Sequence, residues 1–266
     1  MRARGTDMRQ KELLIIIPAY NEENNIGVFL EQLERPEIME VADVLVVNDA
    51  SVDHTCDIVR ARGHQVITHV YNLGYGSGLW VGYKYAVKKG YRYVIQMDAD
   101  GQHDVCNVME LYRRLLTPDG QGHKPDIVLG SRFVEGSKAY HTPLVKKVAY
   151  VLFQLLIRIG TGKKIKDPTT GLQGLSQRAF SYYAGFGHFD DKYPDANMIM
   201  QMLLLGFRVE EVPAVMHART QGTSMHSGII KPLHYMFRMM FSIIAVWIRV
   251  KLFRLDRENF DEEAVS

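Results

Sequence analysis

Two cysteines, Cys56 and Cys106, are all that the 266 residues contain. They give neither a metal-ligand spacing nor a disulfide framework, so both are expected to be reduced thiols of a cytoplasmic protein. Charge of one sign is lacking too: 32 Lys and Arg against 30 Asp and Glu leave a formal net charge of +2. That balance gives no whole-chain signature of nucleic-acid binding, and any basic patch must be local. Long apolar runs are also missing. The first run, Leu13 to Ile17, is too short for a signal-peptide core, which predicts no export. Arg238 and Arg249 bracket the longest later candidate, so no stretch reaches the roughly 18 uninterrupted apolar residues of a spanning helix. Lying on a membrane without crossing it stays open. No internal repeat or low-complexity tract occurs.

What is present is an ordinary globular composition, 47% hydrophobic and 23% charged, enough for one sizeable core. From Leu13 onward short β-rich runs alternate with helical stretches: LLIIIPAY, a helix over 24–34, VADVLVVND, a helix over 53–62, HQVITHV, a helix over 77–89, YRYVIQMDAD, a helix near 105–116, and DIVLGSRF. This alternation predicts βαβ units and a largely parallel sheet, in which ligands gather at the carboxyl ends of the strands. That edge would carry Pro18 to Glu23, Asn48 to Ser51, Asp98 to His103 and Gly130 to Arg132. Pro18, lacking an amide donor, is expected to end the first strand, and Asp53 to cap the following helix.

In VIQMDADGQHD, Val94 to Asp104, an apolar run enters three carboxylates, Asp98, Asp100 and Asp104. Clustered acids repel, and desolvating them is costly without a cation or hydrogen bonds. A D-x-D pair at a strand end can reach one divalent cation through hard oxygen ligands suited to Mg²⁺ or Mn²⁺, and such a cation can bridge a diphosphate. The bland alternative is an exposed turn with Asp100 and Asp104 capping a helix.

Together IPAYNEENNI, VVNDASVDHT, NLGYGSGLWVG, MDADGQH and GSRF resemble family 2 glycosyltransferases of the GT-A fold, and among them the branch of dolichyl-phosphate and polyprenyl-phosphate sugar synthases. The resemblance covers about residues 13–225 and rests on several separated motifs in order. It implies an α/β GT-A fold, Rossmann-like, with a mostly parallel sheet flanked by helices. It further implies that Pro18, Ala19, Tyr20 and Glu22 line a nucleotide pocket, that Asp49 hydrogen-bonds the base and that Asp98 lies near ribose and metal. Asp100 would be the principal metal ligand and Gln102 a second contact. Arg132 would face phosphate, where a guanidinium fork suits paired oxygens. The usual two-acid stretch is here Asn48-Asp49, so position 48 brings no charge. NLGYGSG fails the dinucleotide-binding pattern because Leu79 stands where the third glycine belongs; Gly74, Gly78 and Gly82 are expected instead to let loop and helix approach closely.

Inverting transfer to a neutral hydroxyl needs a general base, whereas a phosphate monoester is already anionic and needs cations to hold it in line. Basic candidates are Lys163, Lys164 and Lys166 beside DPTTG, and Arg219 in HARTQGTSMHSG. The latter segment resembles the R-x-x-G-x-S stretch of the polyprenyl-phosphate branch, which implies Arg219 and Ser224 at the acceptor phosphate; Met225 departs from the lysine common there. Acidic candidates are Asp167 and Asp195, the second alternatively a helix N-cap. The Q-x-x-R-W stretch usual in processive family members is absent, and His217, His226 and His234 form no convincing ligand cluster.

Two helical runs complete the reading. Lys231, Arg238 and Arg249 return to within about 20° of one another on a helix, leaving most of the circumference apolar. In 143–159, Lys147, Gln154 and Arg158 share a face. Interfacial helices fit both patterns, and packing into a core or subunit interface is the alternative. The expected organisation is a polar extension 1–12, a catalytic domain 13–225, an interfacial region 226–255 and an acidic tail 256–266. The expected function is metal-dependent, inverting transfer of a sugar from a UDP- or GDP-linked donor to polyprenyl phosphate, at the cytoplasmic face of the membrane, for cell-envelope glycans. Asp100, Arg132, Asp195 and Arg219 are the catalytic candidates. The alternatives are transfer to a hydroxyl of a lipid-linked glycan and a non-catalytic nucleotide-sugar-binding subunit. A small integral membrane protein and a second copy of the chain remain open as partners; nucleic acid is not expected.

Overall fold

The computed structural model describes residues 11–138, 144–217 and 230–254. In chain order its elements are β1 (Leu13–Ala19), α1 (Ile26–Leu33), α2 (Pro36–Met39), β2 (Ala42–Asn48), α3 (Thr55–Ala61), β3 (Gln65–Thr68), α4 (Tyr75–Lys89), β4 (Tyr93–Gln96) and α5 (Cys106–Leu116). There follow β5 (Ile127–Ser131), α6 (Leu144–Thr161), β6 (Gln173–Ser176), α7 (Gln177–Ala184), α8 (Ala196–Leu204), β7 (Val209–Pro213) and α9 (Ile230–Lys251). The strands form one sheet in the order β3-β2-β1-β4-β6-β5-β7. Every pairing is parallel except those of β6, which runs antiparallel to β4 and β5.

β1 lies between β2 and β4 and is covered on both faces, which is why LLIII reads as an unbroken apolar run rather than an alternating one. After β3 the chain returns past β1 to lay β4 on its other side. This reversal opens a crevice between the carboxyl ends of β1 and β4, where doubly wound sheets bind ligands. Pro18 does not end the strand. The ladder to β2 continues to Ala19 opposite Asn48, while the ladder to β4 stops at Ile16 opposite Gln96. Alternation along the strand puts the Pro18 nitrogen on the β4 side, beyond the last pair, so its missing donor costs no ladder bond.

Two apolar clusters sandwich the sheet. One joins it to α4, α6, α7, α8 and α9; the other joins it to α1, α2, α3 and α5. Gly82 lets α4 settle on β1, because a Cβ there would stand 2.5 Å from Cγ2 of buried Ile16. α8 is buried almost all round, beneath α6 and α9. Met239, Ile243, Val246 and Val250 of α9 join one core with Phe153 and Ile157 of α6 and Ile199 and Met200 of α8. Leu233–Lys251 is nevertheless long and apolar enough, at mean hydropathy 1.3, to match a membrane span by length and composition. Among the described residues nothing covers the outer faces: Val148, Val151, Leu155 and Ile159 of α6 are exposed, as are Phe237, Phe241, Ile244 and Trp247 of α9.

Candidate active site

The loops after β1 and β2 are stitched together. Asn21 donates its amide to Ser51 Oγ at 2.9 Å and accepts the Val52 amide at Oδ1 at 3.0 Å. The Glu22 amide donates to Thr55 Oγ1 at 2.9 Å. Ala19 accepts the Asp49 amide at 2.9 Å, so Pro18, Ala19, Tyr20, Glu22 and Asp49 share one end of the sheet. Tyr20 is exposed there. The buried Asp49 carboxylate organises the next loop: Oδ1 accepts from His69 Nδ1 and the Leu73 amide, and Oδ2 accepts the Gly74 amide, each at 2.8 Å. Gly74, with φ of +98°, then turns the chain into α4. His69 has no sequence signal of its own.

Across the crevice Asp98 and Asp100 follow β4. Tyr75 of α4 donates its hydroxyl to Asp98 Oδ1 at 2.8 Å. The Asp98 amide donates to His103 Nδ1 at 3.1 Å, which leaves the ring proton on Nε2, 3.8 Å from Asp98 Oδ2. Gly171 closes the cradle, since a Cβ there would lie 2.9 Å from Asp98 Oδ2. Buried Asp100 accepts the Gln102 amide at 3.0 Å. The Gln102 carbonyl accepts the His217 amide at 2.8 Å, and His217 Nε2 donates to Asp104 Oδ2 at 2.8 Å. Asp104 also accepts the Cys106 amide, the first of α5, but the N-cap position is Val105 and no side chain caps the helix there, while Asp100 folds back on its own loop, so neither acid is the cap the bland reading expects.

Among the described residues no group of three His, Cys, Asp or Glu is arranged to hold a metal ion. A Mg²⁺-type ion does not need one: it keeps several waters and is held by one or two carboxylates plus substrate phosphate. Asp98 and Asp100, hard oxygen donors two residues apart at the crevice, fit that chemistry.

Arg132, at the end of β5, is paired rather than open to the crevice on every side. Its Nε and Nη2 donate to Asp167 Oδ2 and Oδ1 at 2.7 and 2.6 Å, and Nη2 also donates to Thr169 Oγ1 at 3.0 Å. Asp167 has no exposed surface. The fork is therefore spent on a buried carboxylate, a pair whose breakage costs several kcal/mol, about 3–5. The Nη1 edge faces the Tyr150 hydroxyl at 3.4 Å.

Asp195 occupies the N-cap position of α8 but makes no capping hydrogen bond with its side chain. Asn197 Oδ1 does that work, accepting the amides of Asp195 and Met198 at 2.9 Å each. The Asp195 carboxylate instead accepts from the Tyr235 hydroxyl of α9. Burial pushes its pKa up to about 6; the Tyr235 hydrogen bond and the Arg132 charge oppose that rise, while Asp98 and Asp167 add to it. Tyr75, held well above its ordinary value by burial and then by Asp98, also feels Asp195. Asp98, Asp195, Arg132, Tyr75 and Tyr235 thus share one electrostatic neighbourhood. Arg219 and Ser224 lie outside the described residues.

The sequence model of glycosyl transferase family 2 matches residues 14–183, a span that holds the loops after β1, β2 and β4, Arg132 and Asp167. The chain belongs to glycosyl transferase family 2. Among family 2 relatives, undecaprenyl-phosphate mannosyltransferase of Micrococcus luteus is 30% identical over 228 residues, 81% of this chain and 88% of that one. Polyprenol monophosphomannose synthase of Mycolicibacterium smegmatis is 27% identical over 230 residues, 81% of each chain. Among solved structures, glucosyl-3-phosphoglycerate synthase of Mycobacterium tuberculosis, crystallised with Mn²⁺, UDP and glucosyl-3-phosphoglycerate, superposes with a TM-score of 0.59. That match covers 90% of this chain and 79% of the other at 19% identity, and it bears on the family 2 fold alone.

Proposed function

We propose that this family 2 glycosyltransferase moves a sugar from a nucleotide diphosphate donor to polyprenyl phosphate, with inversion, on the cytoplasmic face of a membrane. One observation carries the choice of a lipid acceptor: Asp195, beside Asp98 and Arg132, is hydrogen-bonded to Tyr235 of α9, the helix that turns exposed Phe237, Phe241 and Trp247 outward. The reaction centre is thus one hydrogen bond away from an apolar outer helix. The names of the Micrococcus and Mycolicibacterium relatives support the same acceptor.

In this reading Pro18, Ala19, Tyr20, Glu22 and Asp49 hold the nucleotide, and Asp98 and Asp100 hold a divalent ion with Gln102 beside them. When bound, that ion supplies charge neutralisation at the departing diphosphate. Arg132 adds positive potential through its Nη1 edge, and its pairing with Asp167 keeps it from swinging away. Arg219 and Ser224 bind the acceptor phosphate, which attacks the anomeric carbon from the face opposite the diphosphate. Asp195 orients a sugar hydroxyl and takes up the last proton of an acceptor that arrives as a monoanion, since phosphomonoesters lose their second proton near pH 6. Residues 13–225 would form the catalytic unit and 226–255 the interfacial one.

A second reading has its own observation. A carboxylate whose pKa is pushed up to about 6 suits a general base, and transfer to a glycan hydroxyl would need one. Turnover of the donor with polyprenyl phosphate, set against a lipid-linked glycan lacking a phosphate monoester, separates them. Donor consumption that depends on the polyprenyl phosphate supports the first; consumption only with the glycan establishes the second.

A further inference from the structure

We propose that the outer face built by α6 and α9 docks on an anionic lipid surface, with a basic tip where the carboxyl ends of the two helices meet. The inference rests on the membrane-surface part of the function proposed above and names the surface chemistry.

The two helices run side by side in the same direction. Phe153 of α6 meets the Tyr235 ring of α9 at 6.3 Å, and further toward the carboxyl end of both helices a Cβ at Gly160 would lie 2.9 Å from Cδ1 of Trp247. Their exposed apolar residues form parallel stripes: spacings of three and four carry Val148, Val151, Leu155 and Ile159 along α6, and Phe237, Phe241, Ile244 and Trp247 along α9. Monomeric proteins seldom leave such contiguous apolar surface without an occupant.

Charge identifies the occupant. The chain as a whole is nearly balanced, 32 cations to 30 acids, yet neither α6 nor α9 contains an Asp or Glu. Cations are added where the helices end together: exposed Lys163 and Lys164 after α6, and exposed Lys251 and Arg254 at the end of α9, beside exposed Leu252 and Phe253. The helix dipole accounts for a cation in a last turn, but not for those beyond it. An apolar stripe ending in a polybasic cluster is the combination that holds proteins on anionic bilayers. A second copy of the chain fits worse, because an isologous contact pairs this face with itself and neither α6 nor α9 offers an Asp or Glu to meet its cations. The acidic stretch after residue 254 lies outside the described residues and stays in the protein to be tested.

The full chain is mixed with vesicles of phosphatidylcholine alone, or of phosphatidylcholine with phosphatidylglycerol, and bound protein is measured by co-sedimentation at low and high salt. Binding at least about tenfold tighter to the anionic vesicles, reduced by salt and unaffected by millimolar inorganic phosphate, is the expected result. A folded Lys163→Gln, Lys164→Gln, Lys251→Gln, Arg254→Gln variant should lose most of that preference. Equal binding to both vesicles overturns the anionic preference, and so does a variant that keeps it. Competition by free phosphate would assign the effect to a single anion site. Absence of vesicle binding with concentration-dependent dimers in sedimentation velocity would give the face to self-association. None of these outcomes depends on sugar transfer, so failure here and failure of the acceptor assignment are read separately.

Discussion

The Tyr235 hydroxyl of α9 donates a hydrogen bond to Oδ2 of Asp195 at the head of α8, forty residues away in sequence. It ties the outermost helix to the acid that lies beside Arg132 and Asp98. Because the bond favours the ionised carboxylate, removing it should raise the Asp195 pKa further. We expect Tyr235→Phe to move the acid limb of kcat/KM upward by about one pH unit while the donor KM holds. Profiles of kcat/KM against pH for both proteins check this.

Asp195 also carries a stability cost of definite sign. Its folded pKa of about 6 lies above the unfolded carboxylate value of about 3.9, so between those values the native state binds the extra proton. Stability contributed by this group is therefore full below the unfolded value and is lost as pH rises through about 6. Asp195→Asn should leave stability nearly unchanged at pH 4 and raise it above pH 7, by an amount on the order of 1–3 kcal/mol. Urea unfolding at the two pH values measures the difference.

Much of this arrangement is legible in the sequence because strand ends are where turns must begin. The motifs after β1, β2, β4 and β5 fall at one edge as soon as LLIII, VLVV, YVIQ and IVLG are read as parallel strands. β6 is not legible: QGLS is short, carries a glycine and owes its strand state to the flanking β4 and β5. The Arg132–Asp167 pair escapes for another reason. Each residue looks like a separate ligand candidate, and only the folded chain shows that they satisfy each other. Tyr235 gives no signal at all, being one aromatic among many on an apolar helix. Asp195 reads equally well as an N-cap until Asn197 is seen to take that role.

Asp100→Asn keeps the shape of the side chain and removes a charged oxygen. Divalent-dependent turnover should fall by a factor of about 100 or more, with the far-ultraviolet circular dichroism unchanged, and chelator should abolish wild-type turnover. Titration of activity against Mn²⁺ concentration checks the metal assignment: a folded mutant with near-normal activity at low metal contradicts it.

The two candidate acceptor groups separate by mutation. If phosphate is the nucleophile, Arg219→Ala should impair transfer more than Asp195→Asn, because losing an oriented cation at developing charge costs roughly 2.7–4 kcal/mol, about a hundred- to a thousandfold in rate. Single-turnover rates at saturating donor give the order. Asp195→Asn dead beside a nearly active Arg219→Ala would promote the hydroxyl acceptor.

The most direct measurement is phosphorus NMR of the lipid product formed from polyprenyl phosphate, a nucleotide sugar and Mn²⁺. Transfer to the phosphate converts the acceptor monoester resonance into that of a sugar-linked phosphodiester, with an anomeric configuration opposite to the donor's. A sugar-bearing product whose phosphorus is still a monoester, or turnover that proceeds only on a glycan hydroxyl, would contradict the account.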